Sequence, residues 1–354
     1  MDRGRKQETG ARRFRVLVLA LVATAALVAA VATAFGSSGG YHETLLVSDR
    51  ASSGAPITDP TLQNPWGIAF GPTTPLWVVK NDTNLTTLYR GANGVDPITK
   101  LFDVGLIAGP TGIVFNPTGD FIVPGTDQPA RFIFDSLSGQ ISAWTNLNPL
   151  PPTDTLAVPR RDDASFTGLA IAPNAPGGSK LYAADNGNGV VRVYNGKFKQ
   201  IMTFADRGLP GLSPYGIQVI GERVYVTFEP RSNDEKLKGA VDVFSRDGTL
   251  LKRLIRGGPL NGPWGVALAP ADWGAFGGDL LVGNEDGGQI NAFDAVSGQF
   301  EGTVSDENGR AIAHDGLWGI AFGNGVIGTP ETLIIVAGVD EYEHGIIEGI
   351  TPAH

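Results

Sequence analysis

Acidic side chains recur along this chain beside amides, in pairs that suit a hard, oxygen-preferring cation. Asn81 precedes Asp82, Asn186 follows Asp185 and Asn284 precedes Glu285, and Asp340 opens a further acidic run near the end. Carboxylate and amide oxygens of this kind hold Ca²⁺. The expected metal ligands are therefore Asp82, Asp185, Asn186, Glu285 and Asp340, with calcium as the expected ion. Two of the four histidines lie toward the C-terminal end, His314 in the loop before Trp318 and His344 directly after the acidic run of Asp340, Glu341 and Glu343. They are the candidates for a histidine–carboxylate metal site or an acid–base pair. No Cys occurs, so thiolate nucleophiles, Cys-ligated metals and disulfides are excluded together. Nucleophile-elbow, phosphate-loop and His-Glu-x-x-His patterns are absent as well.

A second set of candidates belongs to a phrase that recurs six times: Asn64-Pro-Trp-Gly-Ile-Ala-Phe70, Gly109-Pro-Thr-Gly-Ile-Val-Phe115, Ser165-Phe-Thr-Gly-Leu-Ala-Ile171, Ser213-Pro-Tyr-Gly-Ile-Gln-Val219, Gly262-Pro-Trp-Gly-Val-Ala-Leu268 and Gly316-Leu-Trp-Gly-Ile-Ala-Phe322. Its aromatic members Trp66, Tyr215, Trp264 and Trp318 offer flat apolar surface to a sugar or other ligand, or else pack between neighbouring repeats. Differences between successive glycine positions (67, 112, 168, 216, 265 and 319) are 45, 56, 48, 49 and 54 residues. That period belongs to propeller blades.

Each phrase begins a unit of four short strands separated by turn residues. In the fifth unit these are 264–270, 278–285, 288–294 and 298–304. The first is apolar at nearly every position, as an innermost strand packed on both faces requires, and the last is more polar, as an outer edge. The sixth unit supplies only three strands before the chain ends, whereas residues 42–49 form a strand with no unit of their own. The expected fold is all-β: a six-bladed β-propeller of four-stranded blades, closed by the N-terminal strand completing the last blade. Loops into the inner strand and loops after the second strand then open on one face. Second strands are expected to end in acids in every blade, at Asp82, Asp127, Asp185, Glu229, Glu285 and Asp340. Such a ring focuses negative potential at the channel mouth, although a carboxylate repeated in each blade also serves architecture by accepting backbone N–H groups.

The Pro-Trp-Gly-Ile-Ala opening, the Leu-Tyr-Ala-Ala-Asp185 second strand and the six-fold count resemble NHL-repeat and gluconolactonase-like six-bladed propellers over most of residues 41–354. Asn64-Pro-Trp-Gly-Ile-Ala-Phe70 and Leu317-Trp-Gly-Ile-Ala-Phe-Gly323 resemble, more closely, an uncharacterised family of exported bacterial propeller proteins. The gluconolactonase likeness implies a divalent metal near the axis. Its metal-binding Glu near the first inner strand has no counterpart, because Asn64-Pro65 stands there.

The net charge of −9 and the lack of a basic tract beyond the N-terminus argue against a nucleic-acid partner. At the N-terminus, Arg12, Arg13 and Arg15 precede an apolar run from Val16 to Ala34. It reads as a signal peptide within residues 1–40, or as an uncleaved membrane anchor with the propeller outside. The single expected domain is 41–354. The expected function is that of an exported propeller binding a protein, peptide or glycan on its loop face. The alternative is a divalent-metal-dependent hydrolase or lyase with its site at the channel mouth.

Overall fold

The computed structural model describes residues 39–232 and 237–353, and the expected export segment, including Val16 to Ala34, lies outside the described residues. After β1 (Tyr41–Ser48) and the short β2 (Ile57–Thr58), blade one comprises β3 (Pro65–Ala69), β4 (Leu76–Lys80), β5 (Leu85–Arg90) and β6 (Thr99–Gly105). Blade two is β7 (Pro110–Phe115), β8 (Phe132–Ser136), β9 (Ile141–Trp144) and β10 (Thr155–Val158), and blade three is β11 (Phe166–Ala172), β12 (Lys180–Asp185), β13 (Val190–Asn195) and β14 (Gln200–Phe204). Blade four is β15 (Leu212–Ile220), β16 (Arg223–Pro230), β17 (Ala240–Ser245) and β18 (Leu250–Arg256), and blade five is β19 (Pro263–Leu268), β20 (Leu280–Asn284), β21 (Ile290–Phe293) and β22 (Phe300–Thr303). The last blade takes β23 (Leu317–Phe322), β24 (Leu333–Ala337) and β25 (Ile346–Pro352) from the end of the chain, and β1 from its beginning.

β1 runs antiparallel to β25, with Tyr41 opposite Pro352 and Ser48 opposite Ile346. The ring is thereby closed by the N-terminal strand, and β2 adds a parallel fifth strand to the same sheet. Each sheet still ends in its inner strand at the axis, and these edges are short and protected by the ring. β1 is also fastened to blade five, where the Tyr41 ring lies 4.4 Å from Trp273 and the Tyr41 amide donates to the Ser305 carbonyl at 2.9 Å.

Alternate side chains of a strand point to opposite faces, and here each face packs against a different blade. Leu333 and Ile335 of β24 enter the core between blades five and six, whereas Ile334 and Val336 enter the core between blades six and one. Trp77 and Val79 of β4 face blade two, while Leu76 and Val78 face blade six. Among the described residues the apolar core divides into six such clusters, one at each seam. Double-sided burial explains why the inner strands read as continuous apolar runs. No helix among the described residues is long and apolar enough to cross a membrane.

Blade two departs from the expected spacing. Its second strand is Phe132–Ser136, so the acid of that strand is Asp135 and not Asp127. The intervening residues form a small insertion held by the Ile122–Pro129 bridge and by Phe121, whose ring packs edge-on to Phe198 of blade three. Asp127 lies exposed in that insertion.

Candidate functional site

The repeated glycines mark where inner strands crowd at the axis. An added Cβ would stand 2.5 Å from the Thr111 carbonyl oxygen at Gly67, 2.0 Å from that of Trp264 at Gly216, 2.5 Å from that of Trp318 at Gly265 and 2.8 Å from that of Trp66 at Gly319. In each case the oxygen belongs to the residue just before the next blade's glycine, so only a residue without Cβ lets the ring close this tightly.

Immediately above these glycines the repeat's variable position divides into two kinds. The Thr111 hydroxyl donates to the Phe166 carbonyl at 2.9 Å and that of Thr167 to the Tyr215 carbonyl at 2.7 Å, bridging adjacent inner strands. The aromatic members gather over the axis. Trp66 and Trp318 stack at 3.7 Å, Trp264 and Tyr215 meet Trp318 at 6.0 and 5.8 Å, and Tyr342 approaches the same ring at 6.1 Å. Asn64 Oδ1 accepts both indole N–H groups of Trp66 (3.0 Å) and Trp318 (3.2 Å). Trp264 Nε1 donates to the Thr167 carbonyl at 2.8 Å, spanning from blade five to blade three. The four expected aromatic residues are thus brought together, largely against one another, as a plug. Below it, a cavity of about 50 Å³ is lined by the glycines and by Ile68, Ile113, Leu169, Ile217 and Ile320. It leads to an apolar opening of about 270 Å³ at the far ends of the inner strands, bordered by Phe70, Phe115, Ile171 and Val219.

Two acids lie beside the plug. Glu285, only 8% exposed, accepts a hydrogen bond from the Tyr342 hydroxyl, and Glu229 Oε1 accepts one from the Asn186 side-chain amide at 2.7 Å. Burial pushes both carboxyls up to about 7; the neighbouring charges of Glu285 and Asp286 raise Glu229 further, and those of Asp286 and Asp315 raise Glu285. Burial, and then the charges of Glu285 and Glu229, hold the Tyr215 hydroxyl well above its ordinary range. The side chains that hydrogen-bond these two acids are neutral, so a cation entering the mouth meets two carboxyls that burial makes reluctant to ionise, aromatic faces and a rim of further acids.

The other expected residues are placed differently. Asp82 is exposed and accepts from the Asn64 amide at 3.3 Å. Asp185 is fully buried with both oxygens engaged: Oδ1 by the amides of Ser165 and Asn188, both at 3.2 Å, and Oδ2 by Arg192 Nε at 2.6 Å and the Asn188 side chain at 3.0 Å. Asp340 pairs with Arg50 at 2.5 Å on an exposed loop. The histidines take separate partners. His344 Nδ1 lies 2.7 Å from Asp49 Oδ2, just beyond β1, and His314 Nε2 lies 2.5 Å from Glu43 Oε1 within β1.

Asn64, Tyr342, Glu43 and Glu348 were not singled out by the sequence. Asn64 carried a signal, because the other five repeats have Gly or Ser at its position. Tyr342 stands in an irregular loop with no counterpart in the other units. The two glutamates come from opposite ends of the chain and meet only through ring closure.

No family model matches this chain. It is 32% identical over 297 residues to the "Uncharacterized protein R648" of Acanthamoeba polyphaga mimivirus, covering 78% of this chain and 72% of that protein. It is 30% identical over 284 residues to "Uncharacterized protein L690" of the same virus, covering 74% of each. Among solved structures, a streptogramin B lyase superposes with a TM-score of 0.54 at 12% identity, over 90% of this chain and all of that one. A catalytically inactive virginiamycin B lyase from Staphylococcus aureus with quinupristin gives 0.55 at 12% identity, over 88% of this chain and 99% of that one. Likeness at this level of identity establishes the shared propeller fold.

Proposed function

We propose that this chain, which belongs to the family of the two mimivirus proteins, is an exported binding propeller whose loop-face mouth takes a cationic group, an ammonium or guanidinium borne by a peptide. The observation that carries this reading is the pair Glu229 and Glu285, buried beside an aromatic floor and touched by the neutral Asn186 and Tyr342 side chains. Burial makes ionisation costly until a counter-charge arrives. A bound cation supplies that charge, and the faces of Trp264 and Tyr342 add cation–π attraction. Asp82, Asp286 and Asp315 extend the negative field outward and steer a cation toward the mouth.

A second reading is a divalent-metal-dependent hydrolase or lyase. It is favoured by the position of the two carboxyls near 7, which suits general acid–base work at neutral pH. Calorimetric titration with N-acetyl-lysine methylamide, N-acetyl-arginine methylamide and the neutral N-acetyl-norleucine methylamide tests the first reading. It expects the two cations to bind, the neutral analogue to fail, and Glu285→Gln to weaken binding by about tenfold or more. Equal behaviour of all three ligands refutes it, and catalytic turnover that requires added Ca²⁺ supports the second reading.

A further inference from the structure

Away from the axis, a second chemical cluster lies at the seam where the ring closes. Glu43 projects from β1, Glu348 from β25, and His314 from the loop between blades five and six. Leu45, two residues after Glu43, pairs with Glu348, so the two glutamates share one face of the closing sheet. His314 Nε2 is 2.5 Å from Glu43 Oε1 and 2.8 Å from Glu348 Oε2. Among the described residues this is the one group of three metal-capable side chains whose ligand atoms all lie within 4.8 Å of one another.

The cluster is not satisfied by its own atoms. One imidazole nitrogen carries at most one proton and donates it to one acceptor. Glu43 takes that bond, and Glu348 Oε2 is left without a hydrogen-bond partner although its side chain is only 7% exposed. A divalent ion bound by all three side chains gives the orphaned Glu348 oxygen a partner.

We propose that Glu43, His314 and Glu348 form a site for a zinc-class divalent transition metal that fastens the two ends of the chain to the neighbouring blade. One imidazole nitrogen and two carboxylate oxygens match the three-ligand sets of zinc sites that leave a fourth position to water. Ca²⁺ asks for six or more oxygens and is disfavoured here. Bonds of about 2.0–2.2 Å in tetrahedral array separate ligand atoms by roughly 3.3 Å, so the present contacts must open by less than about 1 Å. Glu43 is one-third exposed and His314 about one-quarter, which leaves the ion a route in from the surface. Because the ligands come from β1, β25 and a blade-five connection, metal affinity is coupled to ring closure.

The test uses the full chain, purified without a histidine tag and stripped with chelator, then titrated with ZnCl₂, MnCl₂ and CaCl₂ while binding heat and melting temperature are followed. The expected result is one Zn²⁺ per chain, a melting temperature raised by a few degrees at a hundredfold excess over Kd, and no response to Ca²⁺. His314→Ala and the near-isosteric Glu348→Gln should each weaken Zn²⁺ binding at least a hundredfold, whereas Glu285→Gln at the axial mouth should leave it unchanged. Should His314→Ala fail to fold, Glu348→Gln decides alone. No stoichiometric Zn²⁺ uptake by the wild type, or uptake that survives Glu348→Gln, overturns the proposal.

Discussion

Alanine at Gly216 would place its Cβ 2.0 Å from the Trp264 carbonyl oxygen and 2.8 Å from that residue's carbonyl carbon, with Thr227 Oγ1 at 3.0 Å. Real Cβ atoms essentially never approach closer than 3.0 Å, so two adjacent inner strands must separate by roughly 1 Å. The obstacle is backbone on both sides, and no rotamer relieves it. Overpacking of this sort costs about 1–3 kcal/mol, with the upper end expected where the clash is deepest. Gly168 supplies the internal control, since its nearest contact is the Tyr215 carbonyl oxygen at 3.1 Å, and Gly168→Ala should cost well under about 1 kcal/mol. Gly67→Ala and Gly265→Ala, each with an oxygen at 2.5 Å, should fall between. Chemical denaturation of the four variants, with ΔG taken at equal m-value, gives the ranking. If Gly168→Ala proves as destabilising as Gly216→Ala, the carbonyl-approach explanation of the repeat is refuted.

Asp185→Asn should destabilise by about 3 kcal/mol, because it leaves Arg192 beside a neutral partner in a buried site, yet should not alter cation binding at the mouth; calorimetry and denaturation on one preparation separate these effects. Glu285 behaves oppositely. Its carboxyl is raised from 4.5 to about 7, so between those values the native state holds more protons than the unfolded state. Stability therefore falls as pH rises through that window, the loss being complete above about 7. Glu285→Gln should flatten that slope and gain up to roughly 3 kcal/mol at pH 8, read from melting curves at several pH values. Removing residues 41–50 takes Tyr41, Leu46 and Val47 out of two seams. With about 1.5–3 kcal/mol for each large buried side chain, the truncated chain should melt far lower or fail to fold, and an unchanged melting temperature would contradict ring closure.

The blade pattern was legible because its causes are local. The glycine sits where a carbonyl approaches, and the apolar run on both sides of it follows from double burial. The closing strand was legible by subtraction, since residues 42–49 had no blade and the last unit lacked a strand. Blade two misled because the insertion around Phe121 looks like a strand with an acidic end, whereas its side chains serve the seam with blade three. The acids themselves could not be ranked from spacing. Asp185 lies opposite Phe166, the place that Asn284 fills opposite Pro263 in blade five, whereas Glu285 stands one residue further on, where blade three has Asn186. Arg192 and the Ser165 and Asn188 amides make Asp185 architectural. The neutral hydrogen-bond partners of Glu229 and Glu285, Asn186 and Tyr342, come from other blades, so they depend on three-dimensional contacts. Asn64 was a visible break in symmetry, and it binds two of the plug's indoles.

The most direct test of the mouth as a cation site is the number of protons exchanged on binding. N-acetyl-arginine methylamide should be titrated into the protein calorimetrically at pH 6.5, in buffers of differing ionisation enthalpy. With Glu229 and Glu285 both near 7, the bound guanidinium should expel about one proton per ligand, declining toward zero above pH 8.5, where both acids are already ionised. The Glu229→Gln, Glu285→Gln double variant should lose both binding and release. Binding without proton release at pH 6.5, or release unchanged in the double variant, would contradict the account.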